Sequence, residues 1–109
     1  MALTSTHYYS SVKNFARGAR TGTRTAGDFT ITLGFAPKFI KVTNLTDRIS
    51  GEWYAESPAD TQLLTVAAGT RTYEDTGIAL NADGNGFTVT VATADLETDD
   101  DDVIWEAFG

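Results

Sequence analysis

From Asp28 onward, apolar and polar side chains alternate in short runs separated by turn residues. Phe29, Ile31 and Leu33 alternate with Thr30 and Thr32, the two-residue period of a half-buried strand. Gly34-Phe35-Ala36-Pro37 breaks the run, because Pro37 has no N–H for a ladder and restricts Ala36. Residues 38–44 predict a strand with Ile40 and Val42 inward and Lys41 and Thr43 outward. Residues 45–48 predict a turn, and residues 50–56 a strand whose buried face carries Trp53. Beyond Ser57-Pro58-Ala59-Asp60 come three further runs: one with Leu63, Leu64 and Val66, one centred on Tyr73, and the short apolar Gly77-Ile78-Ala79-Leu80. After the turn cluster Asn81-Ala82-Asp83-Gly84-Asn85-Gly86, Phe87, Val89 and Val91 alternate with Thr88 and Thr90. The last run, Val103-Ile104-Trp105-Glu106-Ala107-Phe108, places Val103 and Trp105 inward. Six to eight strands at a spacing of roughly 8–12 residues predict an all-β antiparallel domain, a β-sandwich or jelly-roll-like fold. The 18 Thr residues suit pleated surfaces and fit helices poorly.

Residues 1–27 read differently. Val12, Phe15, Ala16 and Ala19 fall at i, i+3, i+4 and i+7, one face of a helix, and Lys13, Arg17, Arg20 and Arg24 share another. Ser10 or Ser11 is placed to cap that helix and Gly18 to weaken its end. Past Gly18, the glycines Gly22 and Gly27 and the alternating Thr21, Thr23 and Thr25 favour extended backbone. Charge divides the chain at the same place. Residues 1–27 hold Lys13, Arg17, Arg20 and Arg24 and no acid, giving +4. Residues 28–109 hold all 15 acids against Lys38, Lys41, Arg48 and Arg71, giving −11. The expected organisation is an extended basic N-terminal arm, residues 1–27, joined to an acidic β-sandwich domain, residues 28–109.

Composition then narrows the chemistry. A chain of 109 residues allows one domain with a modest core. With no Cys there is neither a disulfide framework nor a thiolate site, and the single His7 offers little for imidazole catalysis. No apolar run approaches the roughly 20 residues of a membrane-spanning helix, and Met1-Ala2-Leu3-Thr4-Ser5-Thr6-His7 lacks the pattern of a signal peptide. An acidic chain of net charge −7 is a poor match for direct nucleic-acid binding. No nucleophile elbow or phosphate-cradling Gly loop is present, so the expectation is a protein that is not an enzyme and uses no cofactor or metal.

What is left is contact chemistry. The segment 1–27 is either a frayed terminus or a docking arm; as an arm, Tyr8, Tyr9 and Phe15 are anchors and Lys13, Arg17, Arg20 and Arg24 bind carboxylates. Residues 95–102 pack six carboxylates into eight positions. Such crowding is solvated, bound to a cation, or paired through Asp99, Asp100, Asp101 and Asp102 with a partner's basic patch such as a neighbouring copy's arm. The Asn81–Gly86 cluster resembles half of a calcium loop, but the twelfth position is Ala92, so a plain turn is expected. Trp53, Tyr54, Tyr73 and Trp105 form either a sugar-stacking platform or, for the two Trp residues, core.

The run Gly34-Phe35-Ala36-Pro37-Lys38-Phe39-Ile40-Lys41-Val42-Thr43-Asn44 resembles a Gly-Phe-x-Pro-(basic)-x-(apolar)-x-(apolar)-x-Asn run of small structural proteins of tailed bacteriophages. The likeness continues in order through Glu52-Trp53, Thr65-Val66-Ala67-Ala68-Gly69-Thr70-Arg71-Thr72, Gly77-Ile78, Gly86-Phe87-Thr88-Val89 and Val103-Ile104-Trp105-Glu106-Ala107. It spans about residues 28–109 and leaves the arm outside. The resemblance implies a virion component of the head decoration, or cement, type with a β-sandwich or jelly-roll domain. Such a protein would bind the major capsid protein and neighbouring copies of itself as a homotrimer on the head surface, after assembly in the host cytoplasm. The competing reading is a receptor- or glycan-binding module of a phage tail or fibre, which needs exposed aromatics among Trp53, Tyr54 and Tyr73.

Overall fold

The computed structural model describes residues 14–23, 27–56, 61–90, 96 and 100–109, with Asp75 and Thr76 described in backbone only. Among them the alternating runs form eight strands: β1 (Phe15–Arg20), β2 (Phe29–Thr32), β3 (Phe39–Asn44), β4 (Ile49–Tyr54), β5 (Thr61–Thr65), β6 (Arg71–Leu80), β7 (Gly86–Val89) and β8 (Val103–Phe108). All pair antiparallel in one sheet of order β1-β8-β3-β4-β5-β6-β7-β2. The all-β antiparallel class expected from the alternation is the one the chain adopts. Its two layers come from a single sheet that curls into a half-barrel.

Strand β6 makes the bend. The two separate runs expected around Tyr73 and Ile78 are one ten-residue strand, joined through Gly77. Its first half pairs with β5, Leu63 opposite Tyr73, and its last three residues pair with β7, Ile78 opposite Val89. The register shifts between Thr61, which faces Ile78, and Gln62, which faces Glu74, so the ladder skips residues 75–77 of β6. Gly77 lies at φ +150°, and a Cβ there would run into the buried Gln62 side chain. Only glycine suits both conditions.

Folding the sheet over brings distant strands face to face. The Phe87 ring on β7 meets Trp105 on β8 edge-on, with centroids 5.6 Å apart. The two edge strands also approach, since the Arg20 guanidinium of β1 lies 4.4 Å from the centre of the Phe29 ring of β2. Between the layers, Phe29, Ile40, Val42, Trp53, Leu64, Ile78, Phe87, Val89, Val103 and Ala107 form the core. Leu96, from the acidic stretch, is fully buried among them. The expected inward residues Ile40, Val42, Trp53 and Val103 are all buried. The Asn81–Gly86 cluster is the β6–β7 hairpin turn, closed by Asn81 N–H donating to the Gly86 carbonyl at 3.0 Å.

Substituting Gly77→Ala is expected to destabilise the fold by about 1–3 kcal/mol, through the strained φ and the clash with Gln62. Gly27→Ala, where a Cβ meets nothing within 4 Å, is the control and is expected to change stability by less than about 0.5 kcal/mol. Chemical denaturation of the two variants checks this; equal midpoints would contradict the role given to Gly77.

Candidate protein-contact face

Residues opposite one another in an antiparallel ladder point to the same side of the sheet, so the register sorts every outward side chain into rows. One row runs Phe15, Phe108, Phe39, Tyr54 across β1, β8, β3 and β4. Ring centroids are 4.8 Å apart for Phe15–Phe108, 5.9 Å for Phe108–Phe39 and 5.2 Å for Phe39–Tyr54, all tilted. The row stands in solvent: Phe15, Tyr54 and Phe108 are exposed and Phe39 is half-buried. Four adjacent rings stiffen the sheet by cross-strand packing, and together they form an apolar patch of the kind surfaces seldom leave bare.

The next row carries charge. Across the same strands it reads Arg17, Glu106, Lys41, Glu52, so the sign alternates from strand to strand. Glu52 accepts from Arg71 Nη2 at 2.7 Å, and Arg71 Nε donates to Thr65 Oγ1 at 3.2 Å. Among the described residues, Arg17, Lys41 and Glu106 form no ion pair. The third row, Ala19, Ile104, Thr43, Ser50 and Thr65, is small, apolar or hydroxyl-bearing. Beside it lies a hollow lined by Arg17, Gly18, Ala19, Ile104, Trp105 and Glu106.

The structure corrects the reading of the N-terminal segment. Phe15–Arg20 is strand β1, hydrogen-bonded to β8, where a helix was expected over residues 12–19. Residues 15–20 therefore belong to the sheet rather than to an arm ending at residue 27. The physical reason is Trp105: its indole lies across Gly18, so that a Cβ at position 18 would sit 2.6 Å from the ring. The glycine expected to weaken a helix is the gap into which this side chain fits. Phe15 and Arg17 then point outward into the aromatic and charged rows, while Arg20 points inward over Phe29. Tyr8, Tyr9, Lys13, Arg24 and Asp99 lie outside the described residues.

The described end of the acidic stretch is tied into the fold. Asp101 accepts from the buried Asn44 side chain at 3.1 Å. Asp102 N–H donates to Thr46 Oγ1 at 3.0 Å, and the Asp102 carbonyl accepts from Leu45 N–H at 2.8 Å. Asp100 takes a left-handed φ of 62° at the turn into β8. These bonds tie residues 101–102 to the β3–β4 turn, at the end of β8 away from Phe108 and Phe15. Of the described residues expected in the arm or the acidic stretch, Phe15 and Arg17 join the outward rows, Arg20 turns inward, and Asp100, Asp101 and Asp102 lie apart from them; Tyr54, expected in an aromatic platform, also joins. Among the described residues, no group of three His, Asp or Glu is placed to hold a metal ion.

Tyr54 is one of the aromatics that the sequence offers for a sugar-stacking platform, but Phe39, Phe108, Lys41, Glu52 and Glu106 are not marked as a site by the sequence, because their neighbours across the sheet depend on strand order. The available signal was Phe39, Tyr54 and Phe108, large rings at the outward positions of otherwise regular alternation. Trp53 is 4% exposed and therefore core, whereas Tyr54 at 40% and Tyr73 at 53% stand on the surface.

Gly18→Ala is expected to push Trp105 off β1 and loosen that strand, so that trypsin cleaves after Arg17 and Arg20 at least about 10-fold faster than in the unaltered protein. Cleavage at the same rate in both would contradict the lock between Gly18 and Trp105. No protein-family model, curated protein or solved structure matches this chain.

Proposed function

We propose that this protein is a virion structural protein of the capsid-decoration type, binding the head surface and stabilising the shell through contacts between subunits. The observation that carries the reading is the exposed aromatic row Phe15-Phe108-Phe39-Tyr54 beside a ladder of alternating charge, on a rigid antiparallel sheet. Aromatic anchors ringed by polar and charged groups are the composition of protein interfaces. The resemblance of residues 28–109 to small phage structural proteins supplies the setting.

The mechanism is mechanical. Each bound copy adds contacts that internal pressure must break before the shell fails. Many copies on one lattice gain from high effective concentration, so a weak individual contact is enough. The excess of acids over bases, net charge −7, discourages adsorption to packaged nucleic acid.

Purified protein added to shells that lack it is expected to bind and raise their melting temperature. Phe108→Ser is expected to weaken that binding by about 10-fold or more while leaving the fold intact, because the ring is already 41% exposed. Shells that melt at the same temperature with and without saturating protein would contradict the function.

A further inference from the structure

We infer that the outer face of β1, β8, β3 and β4 pairs with the same face of a second copy, about a two-fold axis running along the strands between β8 and β3. The inference rests on the contact reading for the choice of face and adds its occupant.

The order of the charges carries it. A two-fold axis lying in the interface along the strands reverses strand order and keeps each row in line with itself. Strand β1 then lies over β4 of the partner subunit, and β8 over its β3. Reading + − + − against its own reversal sets every charge opposite its complement. Arg17 meets Glu52 of the partner subunit, Glu106 meets the partner's Lys41, and both contacts repeat in reverse. An order + − − + would set like against like. Arg17, Lys41 and Glu106 form no ion pair with a described residue, so pairing need not dismantle a bridge to any described residue. Glu52 meets Arg71 through Oε1, leaving its second oxygen as an acceptor.

The same operation stacks the aromatic rows. Phe15 comes over Tyr54 of the partner subunit and Phe108 over the partner's Phe39, which covers the patch that solvent otherwise wets. Two sheets meeting in this way lie in the aligned range, with strand directions within about 30° and a separation of about 10 Å. Because the sheet curls, its outer face is convex, and the central strands β8 and β3 come closest. The area is therefore small for a stable complex, and the expected affinity is micromolar, further weakened by salt. An isologous pair of this kind differs from the homotrimer expected from the sequence, since a three-fold assembly needs two different surfaces.

Sedimentation of the full-length protein over a range of concentrations tests the proposal. The unaltered protein is expected to pass from monomer to dimer at micromolar concentration. Lys41→Glu alone and Glu106→Lys alone are each expected to weaken that association by about 10-fold or more. Mixed in equal amounts, they are expected to form a one-to-one heterodimer, because the new acid of one then faces the new base of the other. Phe15→Ala, which leaves the ladder intact, is expected to weaken the dimer as well; it serves as the readout if a charge variant proves unfolded by circular dichroism. A monomer at all concentrations, a trimer, or a dimer indifferent to all three substitutions would overturn the inference. The two proposals separate cleanly: a dimer that never binds shells removes the capsid and keeps the pairing, and a monomer that does bind them does the reverse.

Discussion

Everything outward and inward in this protein follows from the register of β8 between β1 and β3. Val103, Trp105 and Ala107 face the core, and Ile104, Glu106 and Phe108 face solvent, because each sits opposite a matching residue on both neighbours. A slip of one residue would exchange the two sets, burying Glu106 and exposing Val103. Trp105 guards against that slip. Its ring lies across Gly18 on one side and against Phe87 on the other, so it joins β1 to β8 and the near layer to the far one. At the far end of β8, Asp101 and Asp102 fix the strand's start against the β3–β4 turn.

A single sheet that curls on itself must bend sharply somewhere, and it does so where Gly77 leaves room for Gln62. The rest of the sheet can then remain regular. Regularity is what lines up four aromatic rings and four alternating charges across β1, β8, β3 and β4, since rows form only where no bulge offsets the ladder. The bend and the contact face are thus two ends of one arrangement. Among the described strands the register shift lies in β5 and β6, and the ladders of β1, β8, β3 and β4 run even.

Much of the core was legible along the chain. Ile40, Val42, Trp53, Phe29, Val89 and Val103 fall at inward positions of the expected strands, and each lies in the core. Strand β1 was not legible, for a specific reason. Its inward positions are Ala16, Gly18 and Arg20, which carry no large apolar side chain, because Trp105 fills the space over Gly18 and Arg20 lies on Phe29. With the two-residue signal missing, the helical spacing of Phe15, Ala16 and Ala19 prevailed. The contact face was legible only as exceptions: Phe39, Tyr54 and Phe108 are rings at outward positions. Their assembly into one row depends on which strands are neighbours, and alternation within a strand does not encode that. The charge split between residues 1–27 and the remainder also changes meaning. Arg17 and Arg20 are members of the sheet, one in the outer ladder and one against the core.

The claim on which the rest depends is that β1 seals to β8 in the register that opposes Phe15 to Phe108 and Gly18 to Trp105. Nuclear Overhauser contacts measured on the isotope-labelled protein test it most directly. The expected result is cross-strand contacts between the Phe15 and Phe108 rings and between the Gly18 α-protons and the Trp105 indole, with Phe39 linking Phe108 to Tyr54. A helical pattern of contacts through residues 15–20, or a Phe15 ring that touches none of these aromatics, would contradict the account.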